Sequence, residues 1–182
     1  MKKLILALLL ISLIFSGCNS TTSNVEETTT KEETTDLVLS IAECDVKALH
    51  LSVIDYEIAE QTKKKIVLKS NDSFMPCKIT VIASKNKGKR IEEFNLSFFN
   101  EIVESLGYKN YDSEEYPLDE IKDVALIYDI YDTSTPRSMA FIQRKNILYS
   151  FMSVPIGSDD DMTTDDTSSE LVNILEGISY NY

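Results

Sequence analysis

The chain has 182 residues, with 30 Asp and Glu against 18 Lys and Arg, a single His and a formal net charge of −12. Acidity of that size argues against nucleic acid and anionic lipid headgroups as partners of the surface. The three cysteines have no spacing that resembles a zinc site, which excludes a zinc-stapled fold.

At the start of the chain Lys2 and Lys3 precede the apolar run Leu4 to Phe15, and Ser16-Gly17-Cys18 follows, the charged, apolar and small-residue order of an export signal. The run is too short to cross a bilayer, which takes about 20 residues in a helix. Residues 1–17 are therefore expected to be removed. The stretch Ile14-Phe15-Ser16-Gly17-Cys18 resembles the lipobox of bacterial lipoproteins, with Phe15 where that family prefers Leu. The resemblance implies that the Cys18 thiol is diacylated and anchors the mature chain outside the cytoplasmic membrane. Asn19 in place of Asp implies no inner-membrane retention signal. Residues 18–36 are rich in Thr, Ser, Glu and Asn, too polar to bury a core, and are expected to form a disordered tether. As a flexible coil it would reach roughly 25 Å.

Residues 37–182 are long enough for one α+β domain with its own core. Cys44 and Cys77 remain as a candidate disulfide, which in the chain-entropy account would contribute roughly 3–4 kcal/mol. The alternative is two separate buried thiols. Leu37, Leu39 and Ile41, then Leu49, Leu51 and Val53, alternate with their neighbours and predict two early strands. Lys65 to Lys69 and Cys77 to Ser84 predict two more, joined through a turn at Ser70-Asn71-Asp72-Ser73.

The period then changes. Ile91, Phe94, Phe98, Ile102 and Leu106 recur at helical spacing and Gly107 follows as a stop. Tyr108 to Leu118 is polar and contains Pro117, and is expected to be a loop. Three strands are predicted at Val124 to Tyr131, Arg137 to Arg144 and Ile147 to Val154. The first is apolar on both faces, so the sheet should be covered on both sides. After an acidic loop, Thr167 and Glu170 stand at capping-box spacing, with Leu171, Ile174, Leu175 and Ile178 as the stripe of a last helix.

This order, carried by Cys77-Lys78-Ile79-Thr80-Val81-Ile82, Phe98-Phe99-Asn100-Glu101-Ile102-Val103, Ala125-Leu126-Ile127-Tyr128, Met139-Ala140-Phe141-Ile142 and the final helix, resembles the Mog1/PsbP-like fold. The likeness spans roughly residues 55 to 182. The chain lacks the early Pro-Gly-Trp-like segment of that family and has no Trp. The resemblance implies a largely antiparallel sheet covered by two principal helices and a binding or assembly role, with no catalytic residues to carry over.

Four groups of residues are candidates for chemistry. His50, alternating with Leu49 and Leu51, would need a nucleophile or an orienting carboxylate within hydrogen-bond reach to act, and the alternative is an ordinary surface or boundary position. Tyr108, Tyr111 and Tyr116 lie among Asp112, Glu114 and Glu115 and are candidate partner contacts; the alternative is that their rings pin the segment to the core. Asp159, Asp161, Thr163, Asp165, Thr167 and Glu170 fall at calcium-loop spacing, but Thr164 stands where that loop needs Gly. An acidic loop that ends in a helix cap accounts for the same residues, so no metal or other cofactor is assigned. Asp112 or Glu115 with Asp159 would be the carboxylates of a glycan or wall hydrolase. The favoured expectation is a lipid-anchored binding or regulatory module that meets an envelope protein or wall polymer, without nucleic acid.

Overall fold

A computed structural model describes residues 35–40, 48–71, 76–85, 96–131, 133–157 and 162–180. The chain divides into two units, Met1–Glu32 and Glu33–Tyr182, and every described residue belongs to the second. Residues 1–17, expected to be an export signal, and Cys18, Cys44, Asp159 and Asp161 lie outside the described residues.

Strands β1 (Thr35–Leu39), β2 (Leu49–Val53), β3 (Tyr56–Gln61), β4 (Lys65–Ser70) and β5 (Cys77–Lys85) precede helix α1 (Leu96–Ser105). Strands β6 (Tyr111–Leu118), β7 (Asp123–Ile130), β8 (Arg137–Arg144) and β9 (Ile147–Pro155) follow, then helix α2 (Thr164–Glu176) and β10 (Ile178–Tyr180). The fold is α+β. Among the described residues one sheet has seven strands in the order β3-β4-β5-β9-β8-β7-β6, and a smaller sheet has the order β1-β2-β10. Neighbouring strands are antiparallel throughout.

The two apolar faces of β7 go to different cores, as its sequence requires. Ala125 and Ile127 join the larger core with Leu171, Ile174 and Leu175 of α2 and with Leu37, Leu39, Leu49 and Leu51 of the small sheet. Leu126, Tyr128 and Ile130 face the other way, onto Phe99 and Val103 of α1. Phe99 is fully buried and stacks on Phe141 with 5.4 Å between ring centroids. Burial of such a ring stabilises by about 2–3 kcal/mol, before any cost of leaving a cavity. The helix stops at Gly107, whose φ of +97° is reached without strain by glycine.

Several expectations need correction. Residues 111–118 form a strand and not a loop, because all eight pair in register with β7. Strand β3, which the sequence did not announce, pairs with β4 and is almost wholly exposed. The cap of α2 is one turn earlier than Thr167 and Glu170. Thr163, in an extended conformation, accepts from the Asp166 amide, and the Asp166 carboxylate takes the Thr163 N–H in return. Thr167 instead lies inside the helix and donates to the Thr164 carbonyl at 2.9 Å. Ile178 is not helical. Gly177 ends α2 where the chain passes so close to β2 that a Cβ would lie 2.2 Å from the Ser52 carbonyl oxygen, and Ile178 then pairs with Leu51.

Candidate functional site

Beneath the start of α2 a row of polar side chains crosses the large sheet. Ser138 donates to Asp129 Oδ1 at 2.7 Å, and its hydroxyl is 2.8 Å from Thr167 Oγ1. Burial raises the Asp129 carboxyl above its ordinary value of 3.8, against the opposing pull of the Ser138 and Ser168 hydroxyls. Ser138 and Thr167 have no exposed surface, so no substrate reaches them, and the row serves to seat α2 on β7 and β8. Cys77 is a free, fully buried thiol pushed up to about 11 by burial, which makes it a poor nucleophile. Cys44, its candidate partner, lies outside the described residues.

His50 faces away from Leu49 and Leu51 but is still largely buried, and its Nδ1 lies 3.3 Å from Asp36 Oδ2. That carboxylate orients the ring. Two clefts flank the C-terminal end of α2 and share Glu176. One, of about 410 Å³, runs between Ile54, Asp55 and Tyr56 and the helix face of Glu170 and Asn173. In it the Tyr56 hydroxyl donates to the Glu170 carboxylate, and burial with that bond raises the Tyr56 phenol far above its usual range. The other, of about 250 Å³, is lined by Tyr116, Leu118, Leu175 and Glu176.

Of the residues at calcium-loop spacing, Asp159 and Asp161 lie outside the described residues. Asp165 and Glu170 both sit on α2, and Glu170 is turned inward to Tyr56. No group of three or more His, Cys, Asp or Glu among the described residues is placed to hold a metal. None of the described helices is long and apolar enough to cross a membrane.

The three expected contact tyrosines do not form one patch, because successive side chains of a strand point to opposite faces. Tyr111 packs in the α1 core, edge-on to Tyr128, and donates to Glu104 Oε1 at 3.2 Å. Tyr108, on the same side, accepts from Arg137 Nη1 at 2.6 Å. Tyr116 packs on the opposite face, against the α2 core, and donates to Glu176 Oε1 at 2.9 Å. Asp112 and Glu115 are likewise divided between the two faces of β6.

What the segment exposes is its edge. Asp112, Ser113, Glu114 and Glu115 are exposed in succession on a strand that ends the large sheet. Their polarity had marked the segment as a loop, and Pro117, which a sheet tolerates on an edge strand, is the signal that was available. Neither a scan against protein-family models nor a search of curated proteins finds a match to this chain.

Proposed function

We propose that the chain is an exported, lipid-anchored envelope protein that works by binding a partner and does not transform it. The observation that carries this reading is the exposed acidic run Asp112, Ser113, Glu114 and Glu115 on a firmly held edge strand. Loss of Lys2 and Lys3 with the signal takes the net charge from −12 to −14, so the partner surface should be basic or mixed. Two acyl chains on Cys18 would anchor firmly where one would be marginal. Residues 19–36 would act as the tether, raising the effective concentration of the domain for a partner at the membrane. We read the domain as Mog1/PsbP-like, supported by the antiparallel sheet with a helix on each face.

Membrane fractionation of Cys18→Ala tests the anchor. Wild type should sediment with membranes and the variant should not. Capture of envelope proteins by the full-length chain, at low and high salt, tests the mode of action, since screening weakens charge-led association. Salt-insensitive capture, or turnover of a wall fragment lost on replacing one acidic residue, would reject this reading.

A further inference from the structure

We infer that the open side of β6 is a strand-addition site for an extended segment, rich in Lys or Arg, of a partner protein. The inference rests on the binding reading above and specifies the surface and the kind of partner. Among the described residues β6 is the terminal strand of the seven-stranded sheet, with β7 on one side. From Tyr111 opposite Ile130 to Leu118 opposite Asp123 the pairing runs without a shift.

Which backbone groups face outward follows from one bond. The Tyr131 amide donates to the Asn110 carbonyl at 2.9 Å, so these two form a hydrogen-bonded pair, and in antiparallel sheets such pairs alternate with unbonded ones. Asp112, Glu114, Tyr116 and Leu118 therefore turn their amides and carbonyls to β7. Tyr111, Ser113 and Glu115 turn theirs to the open side. Pro117 takes the next outward position, where a missing N–H costs the sheet nothing, and it closes the row of donors at that end.

The opposite edge of the sheet is different. There β3 shifts register between Ile58 and Glu60, and such a bulge disrupts a pairing edge. The protection of β6 is charge instead. Asp112 and Glu114 stand on the α2 side of the strand and Glu115 on the α1 side, so two β6 edges meeting each other would oppose like charges. A basic strand meets opposite charge on both faces. The acids that reject self-pairing thus select the partner. Tyr111 and Tyr116 hold the strand from its two faces, so little ordering is left for binding to impose. In strand addition the main-chain bonds supply affinity and the alternate side chains specificity.

The test uses the full-length chain in neutral detergent and a labelled peptide of about ten residues repeating Lys-Lys-Val-Val, which carries Lys on both faces and is long enough to pair along the row. Two controls replace Lys by Glu, or N-methylate the central amides without changing charge. The Lys peptide should bind, both controls should bind at least about tenfold more weakly, and Glu114→Lys with Glu115→Lys should weaken the parent peptide similarly. Hydrogen exchange should slow at the Ser113 and Glu115 amides, while those of Asp112 and Glu114 already face β7. Equal binding of the N-methylated peptide, or unchanged exchange at Ser113 and Glu115, would reduce the surface to plain charge attraction and overturn the inference. Ser113→Pro removes an outward donor and keeps the charge. Salt-dependent envelope capture that survives it overturns strand addition and leaves the adapter reading standing. Should that variant misfold, the N-methylated peptide decides alone, since it leaves the protein unaltered.

Discussion

Tyr116 on β6 donates its hydroxyl to Glu176 on the last turn of α2 at 2.9 Å, joining residues 60 positions apart in the chain. The bond raises the Tyr116 phenol above its ordinary value, and the ring beside it packs on the larger core. With Tyr111 bonded to Glu104 on the other face, a segment with little apolar surface of its own is held from both sides.

Tyr116→Phe removes that bond and keeps the ring. The pair is open to solvent, so the expected loss is only about 0.5–1 kcal/mol. Tyr116→Ala also removes the packing and should cost about 2–3 kcal/mol. Urea unfolding measures both, and in the Ala variant the β6 amides should exchange faster than those of β8 and β9. Equal losses in the two variants would mean that the ring contributes nothing.

Gly177→Ala should destabilise by about 2–3 kcal/mol, because the new Cβ meets the Ser52 backbone 2.2 Å away and neither strand end can yield without losing the bond from the Ser52 amide to the Gly177 carbonyl. Gly107→Ala is the contrast. Its Cβ meets nothing within 4 Å, and only the φ of +97° is strained, for about 1 kcal/mol. Chemical denaturation of the two variants side by side checks the order, which would be reversed if backbone conformation outweighed close approach.

Asp129 provides a pH signature. Because burial raises its carboxyl in the folded state, its contribution to stability is fully present below the ordinary carboxylate range and is lost as pH rises through the folded value. Asp129→Asn keeps an acceptor for Ser138 without the ionisation. The variant should therefore gain on the wild type as pH goes from about 4 to about 7. Unfolding free energies of both proteins across that range test the sign, and a difference that is flat with pH would show that Asp129 is not held away from water as described.

Cys77, fully buried and with its thiol pushed up to about 11, should resist alkylation in reduced native protein. Labelling should accelerate at least about a hundredfold in denaturant, since reaction requires the sheet to open. Mass spectrometry of the Cys77 peptide distinguishes this from rapid labelling in the native state, which would place Cys77 at an accessible surface.

Periodicity was sufficient wherever one face of an element is buried and its composition is unmixed. Phe98 and Ile102 at helical spacing announced α1, although Phe99 and Val103 are the residues it buries fully, Leu106 lies exposed past its end, and Ile91 and Phe94 lie outside the described residues. Alternation announced β2, β4 and β5, and the two apolar faces of β7 announced cover on both sides of the sheet. These signals are local because side-chain direction within a helix or strand follows from the backbone alone. The capping box of α2 was legible in kind and misplaced by one turn, since Thr163 with Asp166 and Thr167 with Glu170 offer competing pairs that only the path of the preceding chain separates.

Charge and the strongly patterned elements were already written in the order of the residues, because each depends on neighbours in the chain. Strands β3, β6 and β10 depended on the fold. They are short or polar, and what makes them strands is hydrogen bonding to β4, β7 and β2, a partner choice that no window of sequence contains. The candidate surface belongs to the same class. Asp112, Glu114 and Glu115 could be read from the sequence as acidic, but that their backbone lies on the open edge of a sheet, with Tyr111 and Tyr116 on opposite faces, was decided by tertiary pairing, since the side chains of an edge strand show no burial pattern until a neighbour fixes which way the strand faces.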